Sequence, residues 1–138
     1  MLKTKLIHPQ ILNSIARAGH GSQILIADGN YPAATRTKTG VEKVHLNLAP
    51  GLINVTQVLK ILNEAIAVEA AGLMEPEEGE EPEIFVEFEK ILSEETNFNY
   101  YDRFEFYERC VENEDLCLVI VTGEKRIYAN VLLTIGVV

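Results

Sequence analysis

The chain is poor in basic residues, in cysteine and histidine, and in long apolar runs. Only 12 of its 138 residues are lysine or arginine, against 21 aspartates and glutamates, and the basic residues form no cluster. A formal charge of −9 makes nucleic acid and anionic membrane poor partners. No apolar stretch approaches the ~20 residues a membrane helix needs. The opening MLKTKLIHPQ lacks the apolar centre of a secretory signal, so a cytoplasmic protein is expected. Cys110 and Cys117 are too few and wrongly spaced for a disulfide framework or a CxxC site, and both read as small buried hydrophobes. The histidines His8, His20 and His45 fall on separate elements with no ligand pair at i, i+4. TGEK lacks the upstream glycine of a Walker loop, and no G-x-S-x-G is present. No metal and no cofactor are expected.

What the chain does have is apolar content, 47% of its residues, and no long low-complexity tract. That fits a single compact domain over residues 1–138. PQILNSIARAG stripes Ile11, Leu12, Ile15 and Ala16 along one helix face, with Gly19 as its C-cap. QILIAD is a strand between turn signals. Residues 41–48 alternate as a second strand, with His45 opposite the apolar face. Asn54 and Gln57 make a capping box for a helix running to about Glu64. Ile66 to Met74 reads as a central strand. The acidic run EPEEGEEPE, Glu75 to Glu83, reads as a solvated loop feeding a helix with Pro82 near its first position. That helix is striped by Ile84, Phe85, Phe88, Ile91 and Leu92. ETNFN reads as a loop. Asp102 and Glu105 then cap a further helix that carries Arg103 in its first turn. Leu116 to Val121 is a strand, TGEKR a turn, and NVLLTIGVV an apolar strand with no polar tail, a terminus to be held in a core or against another subunit. Helices alternating with strands predict an α/β fold: a single layered domain whose largely parallel central sheet is flanked by helices.

The candidate functional groups are polar residues at element ends in polar-poor surroundings. GHGSQILIADGNYP puts His20 before a strand and Asp28 after it. The helix dipole disfavours a cation at Arg103, so another interaction is expected to place it there. Tyr128 and Asn130 stand beside the last strand. In parallel α/β sheets ligands gather beyond the carboxyl ends of strands, which is where Asp28 falls. Each residue also has an ordinary structural explanation: His20 and Asp28 as turn residues, Arg103 as a surface cation, Tyr128 as a satisfied aromatic, Asn130 as a cap. Their joint occurrence carries the functional reading.

MLKTKL, GHGSQILIADGNYPA, DRFEFYERC and VTGEKRIYANVLLTIGV together resemble the RbsD/FucU family of sugar-anomer-converting proteins, the D-ribose pyranases and L-fucose mutarotases. The resemblance implies an isomerase without cofactor, with His20 as catalytic proton donor and Asp28, Arg103 and Tyr128-Ala129-Asn130 as sugar ligands. Tyr128 is then a second proton-transfer group, and Asp28 is expected to help set the tautomer of His20. The family assembles into rings, so a homo-oligomer, a decamer of two pentamers with sugar sites near subunit contacts, is implied. RFEFYER is the fucose mutarotase form. Gly29, where those proteins commonly have alanine, and the pyranase-like Y-A-N leave the sugar open between L-fucose, ribose and a related aldose. The competing implication is a non-catalytic sugar-binding accessory of a monosaccharide transport system.

Overall fold

The computed structural model describes residues 1–138 throughout. Four helices and six strands follow in the order α1 (Pro9–Arg17), β1 (Gln23–Ala27), β2 (Glu42–His45), α2 (Val55–Ala65), β3 (Val68–Met74), α3 (Ile84–Ile91), β4 (Asn97–Tyr101), α4 (Arg103–Val111), β5 (Leu116–Val121) and β6 (Val131–Ile135). The strands form one sheet in the order β2-β5-β1-β6-β3-β4. This is the layered α/β domain the sequence predicts, with one strand reversed. β6 runs antiparallel to both its neighbours, β1 and β3, while every other pairing is parallel.

Side-chain alternation along the strands divides the apolar residues between two cores, as period two requires. Ile24, Ile26, Leu118, Ile120, Val131 and Leu133 face the layer formed by α1, α2 and α3. Leu25, Ala27, Val119, Val121 and Leu132 face α4, which contributes Phe106 and Cys110. Cys110 is the buried hydrophobe expected; Cys117 is only half-buried, with its thiol against the Gln23 carbonyl.

Four readings are corrected. ETNFN is not only loop, because Asn97–Tyr101 is an edge strand pairing in parallel with β3. The strand read over Ile66 to Met74 lies next to that edge and not at the sheet's centre. Helix α1 stops at Ala18 in extended conformation, with no left-handed glycine cap; Gly21 is the residue at positive φ there. Pro82 stands just before the N-cap Glu83 of α3. The capping residues Asn54–Gln57 and Asp102 behave as read, Asp102 accepting from the amides of Phe104 and Glu105. Residues 75–83 are irregular and exposed save for half-buried Pro76 and Pro82. No helix is long and apolar enough to cross a membrane.

Candidate active site

The reversed strand β6 decides where the site lies. Because Ile26 of β1 pairs with Val131 of β6, the end of one strand meets the start of the other, and Asp28 arrives beside Asn130. The two close a reciprocal pair: the Asp28 amide donates to Asn130 Oδ1 at 2.8 Å, and Asn130 Nδ2 donates to Asp28 Oδ2 at 3.0 Å. Asp28 Oδ1 accepts from the Asn30 amide at 2.8 Å. Both side chains belong to residues 3% exposed. Burial pushes the Asp28 carboxyl above the ordinary aspartate value, against the opposing pull of bonds from Asn30, Tyr31, Asn130 and Ala129.

Around this pair lies a cavity of about 260 Å³ at the carboxyl edge of the parallel strands. That is near the lower bound of small-ligand pockets, about 300 Å³. Arg103 and Tyr107 enter it from α4, Met74 from the end of β3, and Ile127 and Tyr128 from the β5–β6 loop. The Arg103 guanidinium sits 4.7 Å over the Phe104 ring, which offers the cation a partner despite its unfavourable helix position. Tyr31 forms an aromatic wall, its ring edge-on to Phe106 and Tyr107. Burial drives its phenol well above the ordinary value, and its hydroxyl donates to the Arg36 carbonyl. Tyr31 thus forms a wall, with its hydroxyl already spent on the backbone.

Tyr128 reaches the pocket from a left-handed backbone, φ +60°. For a non-glycine residue this costs on the order of 1–3 kcal/mol and persists only where surroundings impose it. The loop that carries it is anchored a few residues upstream. Buried Glu124 receives Arg126 Nε and Nη2 in a fork at 3.0 and 2.9 Å, plus the amides of Lys125 and Arg126. Arg126 Nη1 continues to Glu87 on α3 at 2.5 Å. Burial pushes the Glu124 carboxyl up, yet the bonds and charge of Arg126, joined by the Lys125 amide, outweigh it and hold it below the ordinary value. Gly123 is required by contact, since a Cβ there would stand 1.9 Å from the Leu52 carbonyl oxygen. The sequence reading of TGEKR as a plain turn missed this clamp.

The structure thus gathers Asp28, Arg103, Tyr128 and Asn130, and adds Asn30, Met74, Tyr107 and Ile127, which the sequence reading did not single out. Ala129 differs from its neighbours: its methyl is fully buried in the core, so only its backbone faces Asp28. His20 is not in this pocket. It precedes β1, and the five residues of that strand hold it roughly 17 Å or more from Asp28 within one chain. Within one chain the ring contacts Glu69 and not Asp28: His20 Nε2 lies 2.9 Å from Glu69 Oε2. No three His, Cys, Asp or Glu side chains come together as a metal site. A second cavity, about 270 Å³ under the other end of α4, has much of its polar lining spent on itself. Gln23 bonds Thr134 and Asn113, and Arg109 stacks on Tyr101.

The small pocket is lined by a buried carboxylate, an amide, a guanidinium and a phenol and walled by aromatic rings, donors and acceptors of the kind that hydroxyl groups bond. The chain belongs to the RbsD/FucU family, matching the RbsD / FucU transport protein family over residues 1–138. It is 34% identical over 143 residues to fucose mutarotase of Homo sapiens, covering 96% of this chain and 90% of the relative. It is 30% identical to a D-ribose pyranase of Clostridium perfringens, covering 100% and 99%. Its fold superposes on Bacillus subtilis RbsD complexed with D-ribose with a TM-score of 0.85, at 30% identity over 100% of this chain and 99% of that one. The names of these relatives denote isomerases that interconvert sugar forms.

Proposed function

We propose that this protein is a mutarotase that interconverts the anomers, or the pyranose and furanose forms, of a free monosaccharide, L-fucose or a related aldose. The observation that supports it most is the Asp28–Asn130 pair standing with Arg103 and Tyr128 around one small cavity. A buried carboxylate and a side-chain amide accept from and donate to sugar hydroxyls, and Arg103 adds a donor fork. An uncharged sugar suits a chain of net charge −9. The chemistry needs no cofactor. One group takes the proton of the anomeric hydroxyl while another delivers a proton to the ring oxygen, and the bond from C1 to the ring oxygen breaks. The resulting aldehyde rotates, and closure returns both protons. Histidine, with an ordinary pKa near 6.5, can give and take protons at neutral pH, and Tyr128 is the second group.

Because His20 lies at the far end of β1, the complete site takes His20 from an adjacent copy. The reading therefore includes a homo-oligomer, a decamer of two five-membered rings, to be checked by light scattering at micromolar protein. A monomeric mass would overturn it. A binding-only accessory role draws on the same separation, since one subunit's pocket holds no histidine. Saturation transfer by NMR between the anomers of L-fucose, ribose and related aldoses discriminates the two. Exchange faster than the spontaneous rate for at least one sugar, unchanged by chelator, is expected; equal rates with and without protein across the panel leave only the accessory role.

Asp28 gives the proposal a pH signature. Its raised value means that it takes up a proton at higher pH than an ordinary aspartate, whose pKa is ~3.9. Sugar affinity is expected to fall on acidification with a midpoint above that value, read by calorimetric titration from pH 7 downward. Stability moves the other way for this group. Its contribution is full below the unfolded-state pKa and is lost as pH rises through the folded one, so acidification through Asp28 weakens sugar binding while favouring the fold. Glu124, held low, contributes stability above its unfolded-state pKa and loses it as pH falls through its folded one. Affinity flat to pH 4 would contradict the role of an ionised Asp28.

A further inference from the structure

We propose that Glu69 is the positioning residue for His20: it holds the Nε2–H and thereby leaves Nδ1 as the ring atom that exchanges a proton with the sugar. The inference rests on the reading that His20 transfers protons. His20 Nε2 and Glu69 Oε2 are 2.9 Å apart. An ionised carboxylate can only accept, so the nitrogen facing it carries the hydrogen in both the neutral and the charged ring. No group of the chain bonds Nδ1.

Two further features of the fold serve this contact. The β3–β6 register steps from Val68 opposite Ile135 to Ala70 opposite Thr134, so Glu69 is the extra residue of a β-bulge. Bulges turn a side chain out of the ladder's regular direction, and here the turned side chain meets His20. Across the bulge stands Gly136, bound to the Ala67 carbonyl at 2.9 Å. A Cβ on Gly136 would lie 3.1 Å from Glu69 Cβ and 3.6 Å from Oε2, so its absence keeps the carboxylate's space clear. The loop bearing His20 is tied to the same place, the Gly21 amide donating to the Ile135 carbonyl at 2.9 Å. The antiparallel run of β6 thus organises both ends of the molecule: its start positions Asn130 against Asp28, and its end positions the Glu69 bulge against His20.

Stability does not explain the pair. The side chains are 58% and 41% exposed, and ion pairs in water at that exposure contribute little to folding. Orientation does. A ring held at Nε2 leaves Nδ1 without a partner in its own chain, available to a sugar in the pocket of another copy. In turnover Nδ1 gains a proton in one half-reaction and returns it in the other, while Nε2–H stays on Glu69. The sugar's bond from C1 to the ring oxygen breaks and re-forms, and no net proton is consumed.

The test is a long-range ¹⁵N–¹H correlation spectrum of the full-length labelled protein at a pH where His20 is neutral, its signals assigned by their loss in His20→Ala. Wild type is expected to show the Nε2–H tautomer. Glu69→Ala is expected to lose that preference and to lower kcat roughly tenfold or more with KM little changed, because the ring remains but is no longer aimed. Glu69→Gln, whose amide oxygen still accepts, should keep the tautomer and recover part of kcat. An Nδ1–H tautomer in wild type, or a tautomer unmoved by Glu69→Ala in a folded variant, overturns this inference alone. A tautomer that follows Glu69 while both Glu69→Ala and His20→Ala turn over at the parent rate overturns the proton-transfer reading, and with it the role given to Glu69.

Discussion

Replacing His20 with alanine is expected to lower anomer exchange by ~10²–10⁴, the usual worth of a positioned acid–base group, while sugar affinity and melting temperature change little. The structure supplies the reason that these readouts part. His20 is exposed, its ring bonds only Glu69, and the pocket that surrounds Asp28 contains no part of it. Nothing in the core depends on it. Asp28→Ala and Arg103→Ala should do the reverse, weakening affinity, since these side chains line the cavity itself.

The same separation makes a mixing experiment decisive. If each site combines His20 of one copy with Asp28 of another, His20→Ala and Asp28→Ala subunits reassembled together regain activity that neither has alone. Random one-to-one mixing leaves roughly a quarter of the sites with both native residues. No recovery in mixed assemblies of confirmed composition would return His20 and Asp28 to independent roles. A folded, assembled His20→Ala protein that exchanges anomers at the parent rate would remove His20 from the mechanism and move the assignment to Tyr128.

Most elements were legible because their signals are local. The capping residues of α2 and α4 and the apolar stripes of α2 and α3 follow from periodicity and hydrogen-bonding needs within a few residues. Strand β4 was not. Asn97-Phe98-Asn99-Tyr100-Tyr101 is an edge strand with only partial burial, so it lacks the apolar run that announces a buried strand, and asparagine is a poor strand former. The reversal of β6 is also hidden in its composition, since a strand buried on both faces reads the same in either direction. Its one trace is connection length. Residues 122–130 separate β5 from β6, too few for the dozen or more that a parallel crossover takes. Four of the site residues could be found because polar side chains at strand ends stand out in an apolar chain. Glu69 could not, because it sits inside VEAAGLM, where nothing local reveals a bulge.

The other large effect concerns that reversed strand. Deleting residues from Leu133 onward is expected to abolish folding and not only assembly. β6 lies inside the sheet, paired with β1 on one side and β3 on the other. The deletion removes fully buried Leu133 and nearly buried Ile135, and side chains of this kind are worth ~2–5 kcal/mol each when truncated to alanine. It also removes the backbone bonds that Ile135 makes with Gly21 and Ser22 and that Gly136 makes with Ala67. Against a total stability of roughly 5–15 kcal/mol for a domain of this size, that loss is not survivable. Removing only Val137 and Val138 is the control. Both are exposed, so the melting temperature should stay close to the parent's while light scattering reports whether the two valines contact another subunit. Far-ultraviolet circular dichroism and amide dispersion in an NMR spectrum read the outcome. A protein ending at Leu132 with native dispersion and an unchanged melting temperature would mean that β6 is not the strand that joins the two halves of the sheet.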